Sequence, residues 1–560
     1  MITITIDGIQ YQASQGQMII EAARENGIEV PHFCWHPKLS VAGNCRMCLV
    51  EVEKMPKLVI ACSTLVADGM VVHTANPKVI KARQAVMEFL LINHPLDCPI
   101  CDEAGECKLQ DYAYAHSIGA SRFEEDKVHK PKRVELGPHV MLDMERCIMC
   151  SRCVRFCEEI AKKPQLTFAE RGDHVELTTF PGQALDNPYS MNTIDLCPVG
   201  ALTSRDFRFK ARVWELSSTE SICPGCARGC NTHVWVRNNE ILRQTPRFNA
   251  EVNQYWMCDY GRVETLKQVG AETRIKAPRI RTEMGVREPG WDEASAAVAS
   301  ELKLFRKSEV AVIGSAYATV EDCYLLQKFA REVLGTKKID VPRHSVDGSG
   351  DALLIRDDKT PNAKGAAAVG LYSQDPVNGL EGILKGIRDL QIKALVVMQE
   401  DLAALPATAK ILESLQYLVV ISPDENATTR MAHAILPCST YAEKNGTYVN
   451  FEGRVQRLRP AVATVEQDRA TDGLAMSRLD KFGTGFDRWA RGEKRDARPV
   501  WRILTGLAVV TGFRYRYSSA EEVFNEVAST VEGFRGMSYK KLTNKGLMLS
   551  TAKKETQTVA

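Results

Sequence analysis

The chain has no apolar run approaching the roughly 18 to 20 residues that span a bilayer, so it is expected to meet a membrane only through partners. It has little net charge: 72 Lys and Arg against 70 Asp and Glu leave +2, no field that would recruit nucleic acid or an anionic surface. Basic runs at 205–212 and 488–502 read as solvated or partner-facing segments. The opening residues, MITITIDG, lack the basic flank and long apolar core of a secretory signal. No G-x-G-x-x-G follows a strand pattern and no Gly-rich flavin loop occurs, so nothing here is expected to take hydride from a nicotinamide. No internal repeat at a fixed period is present.

What the chain does have is cysteine, 18 in 560 residues. Short ligand spacings without an export signal argue for a reducing compartment and metal binding rather than disulfides. Fifteen of the cysteines and one histidine sort into four consecutive sets of four. Cys147, Cys150 and Cys153 form C-x2-C-x2-C, which lets three thiolates reach different irons of one cubane face, and Cys197-Pro198 supplies the proline-followed fourth ligand. Cys157 follows that run with no second C-x2-C-x2-C near Cys197, and reads as a small buried side chain.

Cys34, Cys45, Cys48 and Cys62 suit a 2Fe-2S cluster held by one long loop and a later strand, although the first gap is longer than in plant-type ferredoxins. Structural zinc is the alternative there. His94, Cys98, Cys101 and Cys107 follow a helix pattern at 77–92, read as strongly amphipathic, that would hold the imidazole in place as a 4Fe-4S ligand. A neutral imidazole in place of a thiolate removes negative charge and should raise that cluster's potential. Cys223, Cys226, Cys230 and Cys258 give another cubane spacing, with a hairpin predicted at 234–241 turning at Asn238-Asn239. A four-cysteine zinc site competes for this set. Cys323 and Cys438 stand alone.

Length implies several domains. Residues 1–76 read as short strands around a helix at 18–26, 77–121 as the segment with one histidine and three cysteine ligands, 122–138 as a polar linker, 139–215 as a ferredoxin-like 4Fe-4S domain and 216–272 as a further 4Fe-4S domain. Residues 273–460 alternate strands (310–314, 394–398, 418–422) with helices (320–334), implying a mainly parallel α/β sheet. Residues 461–560 read as a linker, flexible over about 468–498, then a helical module at 501–534 and a polar tail disordered from about 550.

Laid end to end, the motifs resemble the large iron-sulfur subunit of the peripheral arm of complex I, the NADH:quinone oxidoreductase. The match is carried by Pro31-His32-Phe33-Cys34, Gly43-Asn44-Cys45-Arg46-Met47-Cys48, His94 with Cys98 to Cys107, Arg146-Cys147-Ile148-Met149-Cys150, and Asp195-Leu196-Cys197-Pro198-Val199-Gly200-Ala201-Leu202. It implies an α+β and α/β multidomain chain: a β-grasp 2Fe-2S ferredoxin-like domain, a 4Fe-4S segment with one histidine ligand, a ferredoxin-like 4Fe-4S domain, then a degenerate molybdopterin-oxidoreductase-like α/β domain. Trp291-Asp292-Glu293-Ala294, Pro361-Asn362 and the stretch Glu443 to Gln456 carry the last, looser likeness. Neither Cys323 nor Cys438 sits in an Arg-x-Cys-His setting, so no molybdopterin is expected.

The resemblance further implies one 2Fe-2S and three 4Fe-4S clusters on the sixteen residues, with iron as the metal and no catalytic residue on this chain. Its partners would be a flavin- and NADH-binding subunit and quinone-side iron-sulfur subunits, with no nucleic acid, at the cytoplasmic side of the inner (plasma) membrane. By the same analogy the His94 and Cys147 clusters pass electrons toward quinone, the Cys34 cluster lies on or near that route, and the Cys223 cluster is off it. The alternatives are an electron-transfer subunit of a soluble NAD-linked hydrogenase or formate dehydrogenase, and a zinc-stapled scaffold with no redox role.

Overall fold

The computed structural model describes residues 1–172, 174–466 and 493–550. The chain divides into two compact units, Met1–Glu215 and Leu216–Ala560. Most of the expected flexible connection at 468–498, and the tail beyond 550, lie outside the described residues.

The first unit opens with a five-stranded sheet in the order Ile9–Ala13, Ile2–Ile6, Val71–His73, Leu49–Val52, Val59–Ile60. Alternation in Ile2–Ile6 turns Ile4 and Ile6 inward, where they meet Ile19 and Ile20 of the helix Ile19–Glu25. The first two strands pair antiparallel, while Ile2–Ile6 and Val71–His73 pair parallel, the β-grasp arrangement. The turn between the first strands uses Asp7 at φ 49° and Gly8 at φ 85°, a left-handed pair that only a tight hairpin demands.

The helix Pro77–Ile92 starts where expected, with Pro77 at its first turn and the Asn76 side chain accepting from Val79 N at 3.0 Å. It is less amphipathic than expected. Its buried positions are Val79, Arg83 and Met87, while Ile80 and Phe89 face solvent, Phe89 at 76% exposure. Apolar side chains distributed around the helix defeat a one-stripe reading.

The polar segment at 122–138 is a strap rather than a free linker. Arg122 pairs with Glu88, the Lys127 ammonium donates to the carbonyls of Leu91 and Ile92, and Val128 N donates to Asn93 Oδ1 at 3.1 Å. The two Lys127 bonds cap the open carbonyl end of the helix just before His94.

The second unit begins with the antiparallel strands Ser217–Ile222, Asn231–Arg237 and Glu240–Pro246. The predicted hairpin is longer than expected but turns at Asn238 and Asn239, at φ 52° and 62°. A seven-stranded sheet follows. Its parallel run, in spatial order, is Ile339–Asp340, Val310–Ile313, Ala394–Met398, Tyr417–Ser422 and Ala434–Pro437, extended by the antiparallel hairpin Arg279–Thr282 and Gly285–Arg287. Its central strands are buried at every position because both faces are covered.

Val312, Val396 and Val419 belong to the core under helices Trp291–Leu302, Val320–Lys328, Val500–Val510 and Ala520–Thr530. Ala311, Leu395 and Val420 belong to the opposite core, with Leu380–Arg388 and Pro406–Leu412. The helices after residue 500 therefore share the core of the α/β sheet, and the strand Leu547–Met548 pairs with Arg454–Leu458. Among the described residues no helix is long and apolar enough to cross a membrane.

Candidate metal centres

In the first set, Cys34, Cys48 and Cys62 are buried and Cys45 is half-buried. Gly43 at φ 63° and Arg46 at φ 57° fold the loop so that Cys45 and Cys48 return toward Cys34. The Cys34 thiol contacts those of Cys45 and Cys62, and Cys48 contacts Cys62, so the four sulfurs form one proton-sharing group. Sharing lowers the pKa of Cys34 far below that of a free thiol and raises those of Cys45 and Cys62. The backbone N–H groups of Phe33 and Cys34 point at Cys45 Sγ, both at 3.5 Å.

Cys147, Cys150, Cys153 and Cys197 line a single cavity with Ile148, Phe168, Leu177, Val199, Ala201 and Leu202. Met149 at φ 53° and Ser151 at φ 62° turn the run tightly enough to aim three thiols into it. Burial pushes Cys147 up to about 12, and Cys153 and Cys197 well above an ordinary thiol. Such thiols would stay protonated in this apolar wall unless a cation bound there. A cavity rimmed by two buried and two half-buried cysteines fits a cluster.

His94, Asp97, Cys98, Cys101, Ala104, Cys107, Gln110, Arg146 and Gly200 line a second cavity. Burial holds His94 down to about 4, so its imidazole is neutral near pH 7, as a metal ligand must be. The Arg212 guanidinium clamps this loop by donating to the carbonyls of Cys101 and Pro99. A Cβ on Gly200 would lie 2.2 Å from Cys101 Sγ, so only glycine lets the loop after Cys197 approach that sulfur. Cys98 is exposed.

In the second unit, Cys223 and Cys230 flank the turn between the strands Ser217–Ile222 and Asn231–Arg237 and are tied by Cys223 N to Cys230 O at 2.8 Å. Cys258 caps the helix Asp259–Gly270, its sulfur accepting from Gly261 N at 3.4 Å. A Cβ at Gly261 would stand 2.8 Å from Cys223 Sγ and 3.3 Å from Cys258 Sγ. Half-buried Cys226 completes the set. Among the described residues no three His, Cys, Asp or Glu side chains close on one point as a single metal ion would need.

The three sets of the first unit adjoin one another in an order that differs from their order in the chain. The Arg155 guanidinium donates to Cys34 O at 2.6 Å and Cys150 O at 3.3 Å, and Asn44 Nδ2 donates to Met149 O at 3.1 Å. His94 and Cys147 line one further cavity, and Lys108 N, next to Cys107, donates to Pro198 O at 3.1 Å. The Cys147–Cys197 set therefore lies between the other two. Sequence reasoning missed the guanidiniums that knit these sets together, although Arg146 and Arg155 flank the C-x2-C-x2-C run and Arg152 lies within it.

The leftover cysteines are not recruited. Cys157 is buried in the π-turn Phe156–Ile160, where burial pushes its thiol up to about 12. Cys323 Sγ faces Ser315 O at 3.5 Å, and Cys438 Sγ accepts from Gln399 Nε2 at 3.2 Å.

Family models match in order along the chain: a 2Fe-2S iron-sulfur cluster binding domain over 1–77, an NADH-ubiquinone oxidoreductase-G iron-sulfur binding region over 83–122, and a ferredoxin-like domain of NADH-quinone oxidoreductase subunit 3 over 137–203. A molybdopterin oxidoreductase Fe4S4 domain follows over 216–264, and a molybdopterin oxidoreductase domain over 358–471. The G subunit of NADH-quinone oxidoreductase from Rickettsia bellii is 44% identical over 335 residues, 60% of this chain and 48% of that protein. Its Streptomyces coelicolor counterpart is 42% identical over 61% of this chain and 40% of its own length. The NADH-ubiquinone oxidoreductase 75 kDa subunit of Reclinomonas americana is 41% identical over 64% and 51%. This chain thus spans about half the length of the curated relatives it matches. A chain of an NAD+-reducing [NiFe]-hydrogenase crystal structure is 30% identical over 38% of this chain and 91% of its own, at a TM-score of 0.35. In its ordered 2Fe-2S and 4Fe-4S binding domains, and over the 60% of its length aligned with those relatives, the chain is similar to the large iron-sulfur subunits of NADH:quinone oxidoreductase, the G or 75 kDa type.

Proposed function

We propose that this chain is an electron-relay subunit of an NADH:quinone oxidoreductase, taking single electrons from a flavin-bearing NADH dehydrogenase subunit and passing them toward quinone-side iron-sulfur subunits. The observation that carries the reading is the contiguity of three ligand sets in one compact unit, with Arg155 spanning two of them and a cavity shared by His94 and Cys147 joining the third. Iron-sulfur clusters, when bound, exchange one electron at a time with little rearrangement, which suits a path leaving a flavin.

The residues proposed as ligands are Cys34, Cys45, Cys48 and Cys62 for a 2Fe-2S cluster, and three sets for 4Fe-4S clusters: His94 with Cys98, Cys101 and Cys107; Cys147, Cys150 and Cys153 with Cys197; Cys223, Cys226 and Cys230 with Cys258. The chain's own part is to hold these groups, wall the Cys147 set with apolar side chains, and keep His94 neutral. The corresponding domains are 1–76, 77–121, 139–215, 216–272, 273–460 and 461–560. In this reading the chain is a peripheral subunit on the cytoplasmic side of the membrane.

The α/β region is proposed to carry no molybdopterin. Ligands of such sheets bind beyond the carboxyl ends of the strands. Beyond the ends of Ala434–Pro437 and Val310–Ile313, Cys438 and Cys323 are buried beside the Lys444–Asp322 ion pair, whose side chains are 1% and 0% exposed. The chain's own charges occupy that space.

Anaerobic iron and sulfide analysis with low-temperature EPR tests the relay. About 14 irons per chain, from one two-iron and three four-iron sites, is the expected result. About 10 would leave one cubane site empty, and zinc in place of iron would overturn the reading.

A further inference from the structure

Two buried arginines lie where the Cys34 and Cys147 sets meet, and neither has a carboxylate partner among the described residues. Arg152 and Arg155 belong to the single helical turn Arg152–Arg155, on either side of the Cys153–Val154 pair, and are 6% and 8% exposed. Each reaches both ligand sets. Arg152 donates to the carbonyl of Trp35, which follows Cys34, and to that of Leu196 at 3.2 Å, which precedes Cys197. Arg155 donates to the carbonyls of Cys34, Cys150 and Ser40. Arg152 Nε is buried and has no hydrogen-bond partner among the described residues.

A guanidinium that cannot lose its proton is strongly disfavoured in an apolar interior unless an anion compensates it. Elsewhere the chain supplies one: buried Arg146 meets Asp97 at 2.9 Å and Asp143 at 3.2 Å. Carbonyl dipoles alone do not neutralise Arg152 and Arg155. The negative charges acting on Arg152 would be the thiolates of the two sets, and an iron-sulfur cluster with four thiolates is net anionic, more so after accepting an electron.

We propose that Arg152 and Arg155 are the shared counter-charge of these two clusters, positioning residues that raise the reduction potentials of both together and keep them matched for transfer between them. The inference rests on the cluster assignment above. A fixed cation between two anionic centres stabilises the added electron on whichever holds it, so neither becomes a sink relative to the other. Carbonyl bonds from one guanidinium to both ligand loops also keep the loops in register.

The test is an EPR-monitored redox titration of the whole complex carrying Arg152→Gln, Arg155→Gln and the charge-preserving Arg155→Lys, with iron counted per chain. In each Gln variant the one-electron reduction equilibria of the Cys34 and Cys147 clusters should fall about tenfold, a midpoint 59 mV lower for n = 1, while the His94 cluster moves less. Arg155→Lys should recover most of the shift. Unchanged midpoints at full iron content would overturn the proposal, as would a Lys variant shifted as far as the Gln variant, which would mark a purely structural clamp. If a Gln variant loses iron, the Lys variant decides: clusters kept near the wild-type midpoints support the counter-charge, and clusters lost or shifted overturn it. Absence of iron from the wild-type chain would instead sink the cluster assignment, a distinct result.

Discussion

In the unit from Leu216 onward, the Lys444 ammonium meets Asp322 at 2.6 Å and the Arg274 guanidinium meets Glu443 at 2.8 Å, all four side chains at most 1% exposed. In the unit Met1–Glu215, Arg83, Arg152 and Arg155 are nearly as far from solvent, yet they end on backbone carbonyls. Arg83 lies near Cys48, and the other two lie among the Cys34 and Cys147 sets. The second unit satisfies these two charges from its own chain, as the first does for Arg146 with Asp97 and Asp143, whereas Arg83, Arg152 and Arg155 are cations that an anionic guest would balance. At the Cys34 and Cys147 sets the buried charge balance thus favours an anionic guest even though every ligand looks like an ordinary thiol.

The comparison makes its largest prediction for metal removal. Chelation under reducing conditions should unfold the cysteine loops of 34–62 and 94–107 while the parallel sheet of 310–437 stays protected, because metal binding is part of the folding free energy only where the ligands are. Hydrogen exchange on both units reads this directly; equal loss in both would break the contrast.

Next in size is Lys444→Met. Leaving Asp322 buried and unpaired should cost about 3–5 kcal/mol in thermal unfolding of the second unit, and adding Asp322→Leu should restore much of it. A single variant as stable as wild type would mean that this pair contributes nothing.

A pH effect of up to about 3 kcal/mol is expected from His94 in iron-free protein, less in so far as the half-buried ring is solvated. Its folded pKa of about 4 lies below the ordinary 6.5, so the unfolded chain binds the proton first. Stability should be constant above pH 6.5 and fall as pH drops toward 4, and His94→Gln should flatten that slope in urea titrations.

The smallest change is Gly200→Ala. A Cβ 2.2 Å from Cys101 Sγ forces the loop back, costing about 1–3 kcal/mol as overpacking. It should disturb the His94 cluster's EPR signal while sparing the Cys34 and Cys223 signals.

Much of the plan is readable from residue spacing. C-x2-C-x2-C is a local constraint: three thiols within seven residues have few shared uses, and Met149 and Ser151 adopt left-handed backbone to meet it. The Asn238-Asn239 turn and the apolar strands at 310–313, 394–398 and 417–422 are equally local. The segment at 122–138 reads as a linker because its residues are polar, yet Lys127 and Arg122 tie it to the helix Pro77–Ile92, and no pattern within either segment encodes that pairing. The helix at 77–92 is legible in its bounds but not in its buried face, since Arg83 is buried and Phe89 is not. The C-terminal helices look like a separate module, yet their packing on Val320–Lys328, with Tyr324 and Lys328 reaching Glu526, joins them to the core of the sheet.

Ligand spacing and strand alternation act over a few residues, so the four candidate ligand sets, their chemistry and the sheet class can all be read along the chain. Three features came only from packing: the Cys147–Cys197 set lies between the Cys34 and His94 sets, Gly200 admits Cys101, and Arg152 and Arg155 sit between two sets with no carboxylate partner among the described residues. Those are contacts between residues about fifty to a hundred and twenty apart, made by how loops fold over one another, and no local pattern records them.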